Sequence, residues 1–96
     1  MGFPIVEIRM PEFEGVEAKL QEWLIPPGVY VKLNGPIAHV LLDGVLHQLV
    51  CNMPVVLEER KVSSGAIGPN QLLARAAAEG HELTYGRPYA RLERVA

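Results

Sequence analysis

Leu41-Leu42-Asp43-Gly44-Val45-Leu46 is the stretch from which the rest of this chain can be read. Apolar residues flank a two-residue Asp-Gly step, among the strongest short-range signals for a β-hairpin closed by a type I′ turn. Both central residues of that turn need φ > 0, which glycine adopts freely and aspartate tolerates. With Asp43-Gly44 as the loop, Leu42 faces Val45, Val40 faces His47 and His39 faces Gln48. Alternation then places His39 and His47 on opposite faces of the hairpin.

Working outward, Phe3 to Arg9 alternates apolar and polar residues from Ile5 onward and reads as a first strand that Pro11 stops. Ala18 to Ile25 is closed by Pro26-Pro27-Gly28, and Val29-Tyr30-Val31 by Asn34-Gly35. Ile37–Leu42 and Val45–Cys51 are the arms of the hairpin, and Val55 to Val62 follows Asn52-Met53-Pro54. Ser63-Ser64-Gly65 and Gly68-Pro69-Asn70 are further turns. Short strands punctuated this regularly predict an all-β sandwich or barrel.

The chain also repeats itself. Glu22 to Gly28 overlays Glu59 to Gly65 without a gap. After one deletion in the second half, Ile37-Ala38 falls on Leu73-Ala74, and Leu41-Leu42-Asp43-Gly44 on Ala77-Ala78-Glu79-Gly80. The Ala- and Leu-rich run Leu72 to Glu79 has helical propensity, but the repeat makes it a strand. Turn and apolar positions coincide together, as a repeated supersecondary unit requires. Two such units would close on each other about a pseudo-twofold, with Asp43-Gly44 and Glu79-Gly80 as equivalent turns at opposite ends.

Composition bounds the function. The 96 residues are 49% hydrophobic and 21% charged with a net charge of −2, which suits one domain with a single modest core. Basic residues are few and scattered, giving no footprint for nucleic acid. Cys51 is the single cysteine, so no internal disulfide and no thiol-rich zinc site can form, and a buried small hydrophobe is the expected role. Met1 to Met10 contains Pro4, Glu7 and Arg9 and lacks the apolar run of a signal peptide or membrane span, so a soluble, cytoplasmic protein is expected.

Met10-Pro11-Glu12-Phe13-Glu14-Gly15, then Glu22-Trp23-Leu24, Gly28-Val29-Tyr30-Val31 and Pro36-Ile37-Ala38, resemble the opening of a lipoyl domain in the biotinyl/lipoyl-carrier family. The resemblance covers roughly residues 5 to 80 and places the family glycine of the next crossover on Gly65. It implies a flattened β-barrel or sandwich of two four-stranded antiparallel sheets with an internal pseudo-twofold (a barrel-sandwich hybrid). Residues 1–80 then form the domain, and 81–96 are a C-terminal extension packing on the barrel or on a partner.

In that family the hairpin tip reads Asp-Lys-Ala or Met-Lys-Met, and the lysine carries lipoate or biotin. Here Asp43 matches the aspartate, Gly44 stands in the attachment position and Val45 follows. Glycine offers no amine, and no lysine occurs between Leu33 and Arg60. Lys19, Lys32 and Lys61 are expected on strands or near other turns, away from a ligase that reads the tip. The expectation is therefore a degenerate, non-catalytic domain without a cofactor, serving protein interaction or assembly. The alternative is a lipoate or biotin carrier, or an accessory protein, of a dehydrogenase or carboxylase complex.

Other chemistries find little footing. His39 and His47, on opposite faces, cannot share a metal and read as strand residues. Ser63-Ser64 lacks the strained elbow and partnered base of a nucleophile. Glu12, Glu14 and Glu17 read as a solvated loop. Candidate partner-binding residues are Leu42, Asp43, Gly44 and Val45 at the tip, with Tyr85, Arg87 and Tyr89 in the tail, because Tyr and Arg are enriched at interface hot spots. The tail either packs back as an edge strand or pairs with a second subunit to give a homodimer. The expected partner is a protein, such as a lipoyl- or biotin-dependent enzyme complex, with no nucleic acid and no membrane.

Overall fold

A computed structural model describes residues 5–78 and 90–95. All of the regular structure in these residues is β: β1 (Ile5–Arg9), β2 (Ala18–Trp23), β3 (Tyr30–Val31), β4 (Pro36–Leu42), β5 (Val45–Cys51), β6 (Val55–Arg60), β7 (Gly65–Ile67), β8 (Leu72–Ala78) and β9 (Ala90–Arg94). They form two antiparallel sheets, in the orders β1-β8-β6-β3 and β7-β2-β4-β5-β9. Two expectations are corrected here. The sheets have four and five strands rather than four each, because Ala90–Arg94 from the C-terminal extension adds to β5. Among the described residues they also do not join into a closed barrel: each keeps its own edge strands.

The inner faces share one core. Ile8, Val31, Val55, Leu57, Leu73, Ala74 and Ala76 come from the first sheet, and Ala18, Leu20, Ile37, Ala38, Val40, Leu49, Cys51 and Ile67 from the second. Strand alternation selects these residues. In β2, Ala18 and Leu20 point inward while Lys19 and Gln21 face water. Met10 and Met53, on connections, fill the remaining space, as a flexible unbranched side chain can.

The two halves of the chain repeat each other in register as well as in sequence. Replacing β1, β8, β6, β3 by β5, β4, β2, β7 turns the first sheet's order into that of the second, with β9 left over. The irregularities repeat too. A bulge follows Leu20 where β2 meets β4, and one follows Leu57 where β6 meets β8. A residue is skipped after Pro36 opposite β5, and likewise after Leu72 opposite β1. Leu24 N–H donates to the Ile37 carbonyl at 2.8 Å, and Lys61 N–H to that of Leu73 at 2.8 Å.

The turns follow suit. Asn34 and Asn70 occupy matching turns with φ 61° and 60°, and Gly28 and Gly65 have φ 88° and 102°. Gly28 N–H donates to the Leu57 carbonyl, while Gly65 pairs with Leu20, so each unit closes on the other. Bulges and left-handed turns are positional devices, and their paired recurrence is a stricter match than the few sequence identities. The turn matching Asp43-Gly44, at Glu79-Gly80, lies outside the described residues.

Sequence reading placed seven of the nine strands and left β9 as one of two fates for the tail. It missed β7, reading Gly65 only as part of a turn, because three residues with one inward side chain (Ile67) leave no alternation to detect. Leu72–Ala78 is the strand that the repeat required.

Candidate functional site

The hairpin tip forms as the Asp-Gly step demands. Asp43 has φ 51° and Gly44 φ 75°, and β4 and β5 pair as Leu42–Val45, Val40–His47 and His39–Gln48. Asp43 and Gly44 are exposed, while Leu42 and Val45 are half-buried, with Leu42 packed on the core. A second segment props the tip: Asp43 N–H donates to the Glu17 carbonyl at 2.8 Å. That bond ties the connection between β1 and β2 to the hairpin.

Beside the tip lies an open depression of about 390 Å³ lined by Gly15, Val16, Glu17, Lys19, Leu41, Asp43 and Gly44. It adjoins a more apolar hollow of about 280 Å³ whose walls include Phe13, Val16, Ala66, Ile67 and Pro69. Lys19, exposed on β2 opposite Leu41, belongs to both. Lys19 lies on a strand, as expected, and that strand brings it beside the tip. The signal is absent from local sequence because it depends on the β2–β4 register. Lys61 pairs with Glu59 at 2.9 Å, and that hydrogen bond, then the Lys61 and Arg75 charges, hold the Glu59 carboxyl below its usual range.

The histidines sit on opposite faces of the hairpin. His39 shares the outer face with Glu22, its Nδ1 3.2 Å from Oε2. His47 lies opposite the buried Val40, and its Nδ1–H donates to the Val45 carbonyl at 2.9 Å. Both rings thus have local partners, and among the described residues no group of three His, Cys, Asp or Glu is placed to hold a metal. Cys51 is buried in the core beside Ala90 of β9, and burial pushes its thiol pKa up against the opposing effects of the Met53 and Asn52 backbone and the Arg91 charge. A thiol so placed is inert at neutral pH. Glu12, Glu14 and Glu17 are exposed.

Of the tail candidates, Tyr85, Arg87 and Tyr89 lie outside the described residues. The extension that carries them ends in β9, which packs on β5 of the same chain. Among the described residues no helix is long and apolar enough to cross a membrane. The tip therefore offers a backbone turn, one aspartate and a neighbouring lysine, and no assembled set of nucleophile, acid and base. No family model, curated protein or solved structure matches the chain.

Proposed function

We propose that this chain is a lipoyl/biotinyl-like domain that lacks the attachment lysine and works as a non-catalytic interaction or assembly module. One observation carries the reading: the protruding β4–β5 turn is built from Asp43-Gly44, and the position that the resemblance assigns to the modified lysine has no side chain. The fold supports it. With β9 set aside, each sheet has four strands, and exchanging the halves of the chain maps one sheet's order onto the other, which is the arrangement that the resemblance implies. The partner contacts assigned to the tip are Leu42 to Val45, and a lipoyl- or biotin-dependent enzyme complex is the partner class that fits.

A carrier role has one point in its favour, the position of Lys19 beside Asp43 and Gly44. Intact mass after co-expression with lipoate and biotin ligases separates the two. The interaction reading expects an unmodified chain. Gain of one lipoyl or biotinyl group, lost on Lys19→Arg, would establish the carrier instead.

Gly44→Lys is the complementary variant. An added Cβ meets no atom within 4 Å, so the space is open. A non-glycine residue at φ 75° costs about 1–2 kcal/mol in backbone strain. The expected result is a folded, slightly less stable protein that a ligase modifies at the new side chain. Absence of modification under conditions that modify an authentic domain would count against the alignment.

A further inference from the structure

The two sheets are finished differently. β5 carries β9 on its outer edge, whereas β1, which occupies the matching place in the other sheet, has no strand on its outer edge among the described residues. The edge of β1 is regular. Where β1 meets β8 the extra residue is Leu73 of β8, just as Ile37 of β4 is the extra residue opposite β5. β5 nevertheless pairs with β9 over five consecutive residues, His47 to Cys51, without a shift.

The direction of the β1 backbone follows from its end. Met10 gives its N–H to the Gln71 carbonyl and accepts the Asn70 N–H, both at 2.9 Å, so its polar groups face β8. By strand alternation those of Ile8 and Val6 do too, while the N–H and C=O of Glu7 and Arg9 point out along the open edge. Such a row of outward groups is a template for another strand.

We propose that this edge pairs with β1 of a second copy of the chain, antiparallel and centred on Ile8. Within one chain Glu7 and Arg9 pair with each other at 2.8 Å, and the charges select the register in which each also meets the opposite charge of the second copy. Centring on Glu7 would set Glu7 against Glu7, and centring on Arg9 would set Arg9 against Arg9. Centring on Ile8 sets Glu7 against Arg9 of the second copy twice, as an isologous twofold contact requires. It also makes Glu7 and Arg9 the hydrogen-bonded pair, which uses the outward groups. Ile5, 58% exposed, then lies opposite Pro11 of the second copy. The product is one continuous sheet in the order β3-β6-β8-β1-β1-β8-β6-β3.

Charge also argues against a swapped β9 as the occupant. In the register it adopts on β5, where Glu93 faces Gln48 and Arg91 faces Val50, it would set Glu93 against Glu7 and Arg91 against Arg9. Like charges directly opposite destabilise a strand pair.

The contact is confined to a short segment between Pro4 and Pro11, so the dimer is a weak one. The inference rests on the fold alone and stands whether or not the carrier reading holds. Sedimentation equilibrium over about 10 μM to 1 mM should show a reversible monomer–dimer equilibrium. Glu7→Arg and Arg9→Glu should each weaken association about tenfold or more, and the double variant should return it to within a few-fold of the parent. Amide exchange at Glu7 and Arg9 should slow as concentration rises. A chain that stays monomeric throughout, single variants that dimerise like the parent, or a double variant that fails to recover each overturns the proposal.

Discussion

Leu20→Ala and Leu57→Ala should each lower the free energy of unfolding by about 2–5 kcal/mol, the range for deleting a fully buried leucine side chain. Both residues are essentially without solvent contact, at 1% and 0% exposure, and each precedes the bulge of its own unit. A domain of this size has about 5–15 kcal/mol in total, so either change removes a large share of it. At about 4–8 °C per kcal/mol, the midpoint of thermal unfolding should fall by about 8–40 °C. Lys19→Ala, on the opposite face of β2, should stay within about 0.5 kcal/mol of the parent. Urea titration of the three variants checks this. A loss below about 1 kcal/mol at either leucine would show that the two halves do not share one core.

The second large effect concerns β9. Leu92 lies opposite Leu49 and packs on the core, while Ala90 lies opposite Cys51. Leu92→Asp sets an unpartnered carboxylate against apolar surface, which is relieved when the strand detaches. The eight remaining strands still form the two-sheet core, and Cys51 comes to lie on an open sheet edge. The parent Cys51 should resist a thiol reagent at pH 8, and the variant should react at least about tenfold faster, with folding monitored by circular dichroism.

A pH dependence accompanies this. Because burial raises the folded thiol pKa, Cys51 contributes stability that is present below the unfolded thiol value and lost as pH climbs through the folded one. The parent should therefore weaken from roughly pH 8.5 upward, and Cys51→Ala should remove that slope. Equal labelling of parent and Leu92→Asp would mean that β9 does not shield β5.

Legibility followed the physics of each residue. Asp43-Gly44 announced its turn because few dipeptides accept two positive φ values, and the pairing of six residues around it could be written down from that alone. The repeat was legible through turn and apolar positions, and it decided that Leu72–Ala78 is a strand against its helical propensity. The bulges after Leu20 and Leu57 left no sequence mark, since each is an accommodation between two strands. The nearness of Lys19 to Gly44 left no mark for the same reason: it is a matter of register across β2 and β4. The fifth strand of the second sheet was foreseen only as one of two fates for the tail, because leucine and tyrosine in a terminal strand suit cis and trans packing equally.

The exchange of halves between the sheets has a consequence for how the molecule forms. β1 and β3 find their partners in β8 and β6, and β7 finds its own in β2, so neither the first four strands nor the second four can complete a sheet alone. Apart from the β4–β5 and β5–β9 pairs, the ladders join residues from the two separate halves or across the matching β2–β4 and β6–β8 spans. Loop closure across such spans precedes the reward of burial, which makes folding slow for the chain length. A chain cut between Asp43 and Gly44 would yield two fragments, each disordered by itself and ordered only by the other. In this protein the hairpin tip is also the seam.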